Sequence, residues 1–341
     1  VRRAAIVVGL VLATLVAGGS CVGCMTSMPG TSRKEPLPPP TAPQADAATR
    51  LQSFVELLTT LGEHSTRRPE ALAKAAERIT DALAAQHLAV TPQDFACDGV
   101  TVSNLELALP GGALAGETLV IGAHYDSAHG TPGADDNASG CAALFELAQR
   151  LAARHAADAS FPRHTLRLVF FTNEEPPHFQ QESMGSLVHA RALAARGEHV
   201  AAMLSLECLG YYDDRAGSQD YPFPFNLLYP DTANFLGFVG NTDSGALVRR
   251  CVGAFRASGA LPCEGVAAAG WITGVGWSDH WSYWQIGAPA VMVTDTALFR
   301  NPNYHQPTDR IATLDFDRLA RAVDGIEAVV AAMDVEKSKD P

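Results

Sequence analysis

The sequence predicts a single α/β domain, a mostly parallel central sheet with helices on both faces. Short apolar runs rich in β-branched residues alternate with longer stretches whose apolar residues recur at helical spacing. Acidic and imidazole side chains follow those apolar runs directly, where open α/β sheets gather their chemistry. Nowhere in the 341 residues is there an internal repeat or a second domain boundary.

Residues 1–24 read as an export signal. Arg2 and Arg3 supply the positive start, Ala4 to Ala17 an uncharged apolar stretch, and Gly18-Gly19-Ser20 the small residues before a cysteine. Cys21 resembles the lipidated cysteine of a bacterial lipoprotein, and Cys24 is a second candidate. The protein is therefore expected to be exported and to touch a membrane only through its N-terminus. Residues 25–49, with Pro36-Leu37-Pro38-Pro39-Pro40, have the composition of a tether, which puts the folded part at 50–335.

Leu72, Ala75, Ala76, Ile79 and Leu83 predict a surface helix over 69–87. Strands follow at Thr118–Ala123, Leu166–Thr172, Met203–Leu206, Phe235–Val239 and Pro289–Thr294. Between and after them, helices are expected at Ala138–Ala153, Met184–Ala195, Leu247–Ala257 and Phe316–Met333.

Composition narrows the function. Hydrophobic residues make up 47% and charged residues 18%, enough to build a large core. The net charge of −12 becomes −14 once residues 1–20 and their two arginines are removed. Nucleic acid as a partner is excluded, because binding it needs clustered Lys and Arg. Seven cysteines are too few for a disulfide scaffold; Cys251 and Cys263 are a candidate pair, and Cys141 and Cys208 read as buried thiols.

The informative residues stand at strand ends. His124 and Asp126 close the first strand, an imidazole with a carboxylate two residues on. Asp135 and Asp136 sit in a Gly-rich turn before a helix, where one of them reads better as an N-cap. Glu174 and Glu175 end the second strand, Glu207 the third, and His305 lies in the loop before the last helix. On one rim of a sheet these carboxylates would repel one another unless divalent cations lay among them. Carboxylate and imidazole together form a ligand set suited to zinc, and paired metals are a recurrent hydrolytic device.

The motifs G-A-H-Y-D-S, P-G-A-D-D-N-A-S-G, N-E-E-P, L-S-L-E-C-L-G-Y, W-S-D-H and N-Y-H-Q-P-T-D occur in that order. In order and spacing they resemble the clan MH zinc aminopeptidases, which include secreted leucyl aminopeptidases, glutamate carboxypeptidase II and glutaminyl cyclases. The similarity runs from about residue 70 to 333 and implies the zinc-exopeptidase fold. It also implies two zinc ions. His124 and Glu207 would hold one, Glu175 and His305 the other, with Asp136 bridging and Asp135 as its fallback. Glu174 matches the family's general base, which would deprotonate a water lying between the metals. Asp126 matches the residue that supports His124. The family usually has Asp where Glu207 stands, so how Glu207 ligates is the open point.

Asp279 and His280 match a motif near the site but carry no metal role in this reading, and His280 is expected to pack. Trp271, Trp277, Trp281 and Trp284 read as core or cleft wall, and Tyr304 as a candidate oxyanion donor. His129, His178 and His189 read as surface or loop residues. The expected activity is aminopeptidase, acting on a peptide or small amide as a monomer. Rivals are a one-zinc glutaminyl cyclase, a non-peptidase amidohydrolase and a non-catalytic binding module on the same fold, such as the transferrin receptor ectodomain.

Overall fold

A computed structural model describes residues 23–335; residues 1–22, on which most of the expected export signal and Cys21 fall, lie outside the described residues. Eight strands form one sheet in the order β1-β2-β4-β3-β5-β8-β6-β7. They are β1 (Thr91–Cys97), β2 (Val100–Leu109), β3 (Leu114–His124), β4 (His164–Phe171), β5 (His199–Glu207), β6 (Leu236–Asn241), β7 (Cys263–Ala268) and β8 (Ala290–Thr294). β4, β3, β5 and β8 run parallel in the centre. β2 joins β4 antiparallel, and β6 joins β8 antiparallel, so the two margins reverse direction.

Helices α1 (Ala42–Thr59), α2 (Pro69–Ala84), α3 (Gly140–Ala157), α4 (Gly185–Ala195), α5 (Gly245–Ser258), α6 (His280–Trp284) and α7 (Phe316–Met333) cover both faces. Successive side chains of a strand point to opposite faces, and here they enter different cores. Leu119, Ile121, Leu168, Phe170, Leu204 and Leu206 pack with α1, α3, α5 and α7. Val120, Val169, Phe171 and Met203 pack with Ala190 and Leu193 of α4 and Tyr283 of α6. Among the described residues no helix is long and apolar enough to cross a membrane.

Three expectations change. The hairpin β1–β2 was not expected, although Asp98-Gly99 is a two-residue hairpin signal and both residues adopt the positive φ such a turn requires (49° and 80°). The tether is shorter than 25–49, because α1 starts at Ala42 with a capping box between Thr41 and Gln44 and buries Ala47, Leu51, Phe54, Val55 and Leu58. Even the Pro-rich stretch before it is docked. Arg256 donates to the carbonyls of Pro29 and Gly30, and Arg33 to that of Gly259, while the Ser32 hydroxyl accepts from the Cys263 N–H. Lastly, Cys251 and Cys263 are separate buried thiols rather than a disulfide, one on the inner face of α5 and one opening β7.

Close packing of α7 on α5 rests on Gly325. A Cβ there would meet the Phe255 ring at 2.2 Å, and that ring is fully buried and edge-on to Phe238 at 5.2 Å. Alanine gains ~1 kcal/mol of helix propensity, but overpacking a rigid core costs ~1–3 kcal/mol or more. Gly325→Ala is therefore expected to lower the urea midpoint at unchanged m-value. A raised midpoint would show that the ring can retreat.

Candidate metal centre

Parallel pairing carries the strand ends to one rim. His124, the last residue of β3, lies beside Phe171 of β4, and Glu207, the last of β5, lies beside Thr294 of β8. Glu174 and Glu175 follow β4 after two residues. The turn Ala134–Ser139 brings Asp136 over the end of β3. Glycines permit that turn. Gly133 has φ of 64°, and a Cβ there would strike the Asp136 carbonyl at 2.5 Å. A Cβ on Gly140 would strike the Leu206 carbonyl at 2.5 Å, so only glycine lets α3 start against β5. The Asp309 carboxylate accepts from the N–H groups of both Asp135 (2.9 Å) and Asp136 (3.2 Å), and Asn137 donates to the Leu206 carbonyl at 2.8 Å.

Two groups of side chains result. His124, Asp136 and Glu207 offer ligand atoms within 4.8 Å of one another, and so do Asp136, Glu175 and His305. Asp136 belongs to both. His124 Nε2 faces Glu207 Oε2 at 3.3 Å and Asp136 Oδ1 at 3.4 Å; His305 Nε2 faces Asp136 Oδ2 at 3.0 Å and Glu175 Oε2 at 3.2 Å. Yet His124 Nε2, Asp136 Oδ2, Glu175 Oε1 and His305 Nε2 are buried without a hydrogen-bond partner. Buried polar atoms are rarely left so. Neutral imidazole and carboxylate converging with their lone pairs unspent fit divalent zinc.

Electrostatics give the same picture. Burial pushes the Glu175 carboxyl up to about 8, helped by the charge of Asp136. Glu174 is also raised well above the usual range, by burial and then by Glu175 and Glu207 against the pull of His124. Burial works to lower the pKa of His305, but the negative charge of the facing Asp136 and Glu175 carboxylates outweighs it and brings the ring up to about 11. Without cations, the cluster can only hold its negative charge by taking up protons.

Asp126 orders the group from behind. Its two carboxylate oxygens accept from the N–H groups of Glu174 (3.0 Å) and Glu175 (3.1 Å), and its carbonyl lies 3.1 Å from His124 Nδ1. A donor bond from Nδ1 leaves the Nε2 lone pair facing the cluster. Asp135 turns away, accepting from Gly210 N–H (2.9 Å) and Asn301 Nδ2 (2.7 Å). Sequence reasoning gave no role to Asp309, Ser278 or Asn301, and offered Asn137 only as a possible helix cap. Ser278 donates to Glu207 Oε2 at 2.7 Å. Asp309 and Ser278 stand inside the quoted motifs, which was the available signal.

His280 is fully buried, bonded to the Val275 carbonyl at 2.8 Å and edge-on to Trp284. His178 and His189 are buried, contrary to expectation. His189 bridges Tyr283 and Glu106, and His178 contacts Thr66 and Ser183. Only His129 is exposed, paired with Glu63. Cys97, Asp98 and His178 also lie within ligand distance of one another. There Cys97 Sγ stands 3.6 and 3.7 Å from the two ring nitrogens, both already bonded, so no imidazole lone pair is free to ligate.

Tyr304 stacks on His305 at 4.0 Å, and with Glu207 it lines a cavity of about 110 Å³. Its wall is aromatic and aliphatic, including Phe225, Tyr229, Phe235, Val266 and Trp277. Trp277 is thus cleft wall, Trp284 packs inward, and Trp271 is exposed.

The profile of peptidase family M28 matches residues 104–330. Protein YfbL of Escherichia coli K12, itself uncharacterised, is 38% identical over 84% of this chain and 88% of its own length. A probable leucine aminopeptidase of Arthroderma otae is 25% identical, and the alignment spans about half of that longer protein, 53%, and 63% of this chain. Among solved structures, the LapA aminopeptidase of Legionella pneumophila superposes with a TM-score of 0.62 over 89% of this chain and 78% of LapA, at 15% identity. A glutaminyl cyclase of Tannerella forsythia superposes with a TM-score of 0.59 over 85% of this chain and 99% of the cyclase, at 19% identity. With the profile covering two thirds of the sequence and a full-length relative at that identity, the chain belongs to peptidase family M28, the zinc-dependent peptidases its motifs resemble.

Proposed function

We propose that the protein is a two-zinc aminopeptidase, exported and held at a membrane by its N-terminus. The observation that carries the reading is the pair of ligand triads sharing Asp136. His124, Asp136 and Glu207 would hold one zinc, and Asp136, Glu175 and His305 the other. Bound zinc supplies Lewis acidity, polarising the scissile carbonyl and making a water easier to deprotonate.

The chain supplies the rest. Glu174 stands beside the triads, with Oε2 3.9 Å from His124 Nε2. Burial raises its proton affinity, which suits a carboxylate that takes a proton from the attacking water at Oε2 and hands it to the leaving amine. Asp126 keeps Glu174 and Glu175 in place through their backbone N–H groups. The apolar cavity that begins at Glu207 and Tyr304 suits the side chain of an apolar terminal residue.

Glutaminyl cyclisation is the second reading, because a solved cyclase superposes over 85% of the chain, close to the 89% that LapA covers. Zinc content and a substrate panel separate the two. Two zinc ions per chain, with chelator-sensitive hydrolysis of apolar aminoacyl anilides, are expected. One zinc per chain with ring closure of N-terminal glutamine would replace the aminopeptidase reading by the cyclase one.

A further inference from the structure

Among the described residues seven large hydrophobic side chains are exposed, and six of them lie on loops that also line the cavity. Phe223, Leu227 and Leu228 lie in the loop 221–229, Trp271 and Trp277 in the loop 269–278, and Leu298 beside Phe299. Residues of all three loops line the cavity, Trp277 and Leu298 themselves among them, so the other four project from the loops that form its wall. Phe223 is 80% and Trp271 86% exposed, far beyond what lining a pocket requires. The loops carry no charge: residues 221–230, 265–278 and 296–299 contain no Asp, Glu, Lys or Arg. In a chain of net charge −12, that is a segregated apolar patch of the kind that marks an interaction surface.

The N-terminal segment indicates what covers it. Met25 packs on the small cluster of Phe225, Ala268 and Val275 that supports these loops. One residue earlier, Cys24 is exposed, its carbonyl held by Arg249. Twenty-two further residues, with the uncharged apolar stretch Ala4 to Ala17, precede Gly23. Whatever fixes that end to a bilayer, an acylated cysteine or the apolar stretch itself, therefore does so beside the rim. Docking of residues 28–38 on α5, β7 and α7 leaves little slack between anchor and domain.

We propose that Phe223, Leu227, Leu228 and Trp271 seat in the surface of the bilayer to which the N-terminus is attached, turning the mouth of the cavity toward the lipid. Aromatic and aliphatic tips at the interface, without lysines, suit insertion among zwitterionic headgroups rather than attraction to anionic ones. The inference rests on residues 1–24 being an export and anchor segment and not on the zinc chemistry.

The test uses the full chain, purified from membranes in its processed form and reconstituted into phosphatidylcholine vesicles with plain or brominated acyl chains. Flotation in high salt reads the anchor, and tryptophan quenching reads the rim. The protein is expected to float and to lose emission in brominated vesicles. Trp271→Phe, a change at an exposed side chain, should remove most of that loss, and Phe223→Ser with Leu227→Ser should reduce it several-fold at unchanged flotation and zinc content. Flotation with equal emission in both vesicles would overturn the seating of the rim. Failure to float would overturn the proposal at its anchor, with the peptidase reading intact. A dimer that shields Trp271 without lipid would assign the rim to a second copy.

Discussion

Glu174→Gln is expected to lower kcat by about 10²–10⁴, the usual loss when a general base is removed, while zinc content stays at the wild-type level. Glutamine keeps the volume and one oxygen of the side chain but cannot accept the proton. The residue belongs to neither ligand triad, so metal binding should not depend on it. Its backbone N–H stays bonded to Asp126 whatever the side chain is, which protects the position of Glu175 next door. Steady-state kinetics with metal analysis on the same samples decide the matter. Unchanged kcat would remove Glu174 from the mechanism, and lost zinc would make it a ligand.

A larger and different loss is expected from Asp136→Asn. Asp136 faces His124 through one oxygen and His305 through the other. The two imidazoles hold its carboxyl well below the usual carboxylate range despite burial. Asparagine fits the same space without the charge, so both triads lose their shared anion. Zinc content should fall from two per chain to less than one, and activity should disappear. His305→Ala, which touches one triad, should cost one zinc. Stability should follow metal content. Ligand at 100 times its Kd stabilises a fold by about 2.7 kcal/mol, so a chelator should lower the melting temperature of the wild type and leave Asp136→Asn unmoved. Full zinc content in Asp136→Asn, with wild-type melting behaviour, would remove the bridging role.

Much of the fold was legible because the central strands are buried on both faces. Val120-Ile121, Leu168-Val169-Phe170 and Met203-Leu204 are continuous apolar runs of the kind a doubly covered sheet produces. The margins were less legible. β1 is largely exposed or half-buried and reads TPQDFAC, with little apolar signal, so its Asp98-Gly99 turn was the sole clue. Thr41-x-x-Gln44 with Pro43 announces a helix start, but the proline-rich composition before it outweighed the local cap. Composition alone does not separate a free tether from one docked by arginine–carbonyl bonds.

What the sequence by itself determined is the inventory and its order: His124, Asp136, Glu174, Glu175, Glu207 and His305, nearly all at or just after apolar runs. The family resemblance already implied their division into two sets sharing Asp136; the tertiary structure supplies the physical reason for it. Asp135 and Asp136 are equivalent as letters, and the turn held by Asp309 and permitted by Gly133 sends one carboxylate to Gly210 and Asn301 and the other between two histidines. The reason is physical. A side chain's chemistry is local, but its partners are set by backbone direction at the end of a strand, and that direction comes from contacts as far as 174 residues apart in sequence.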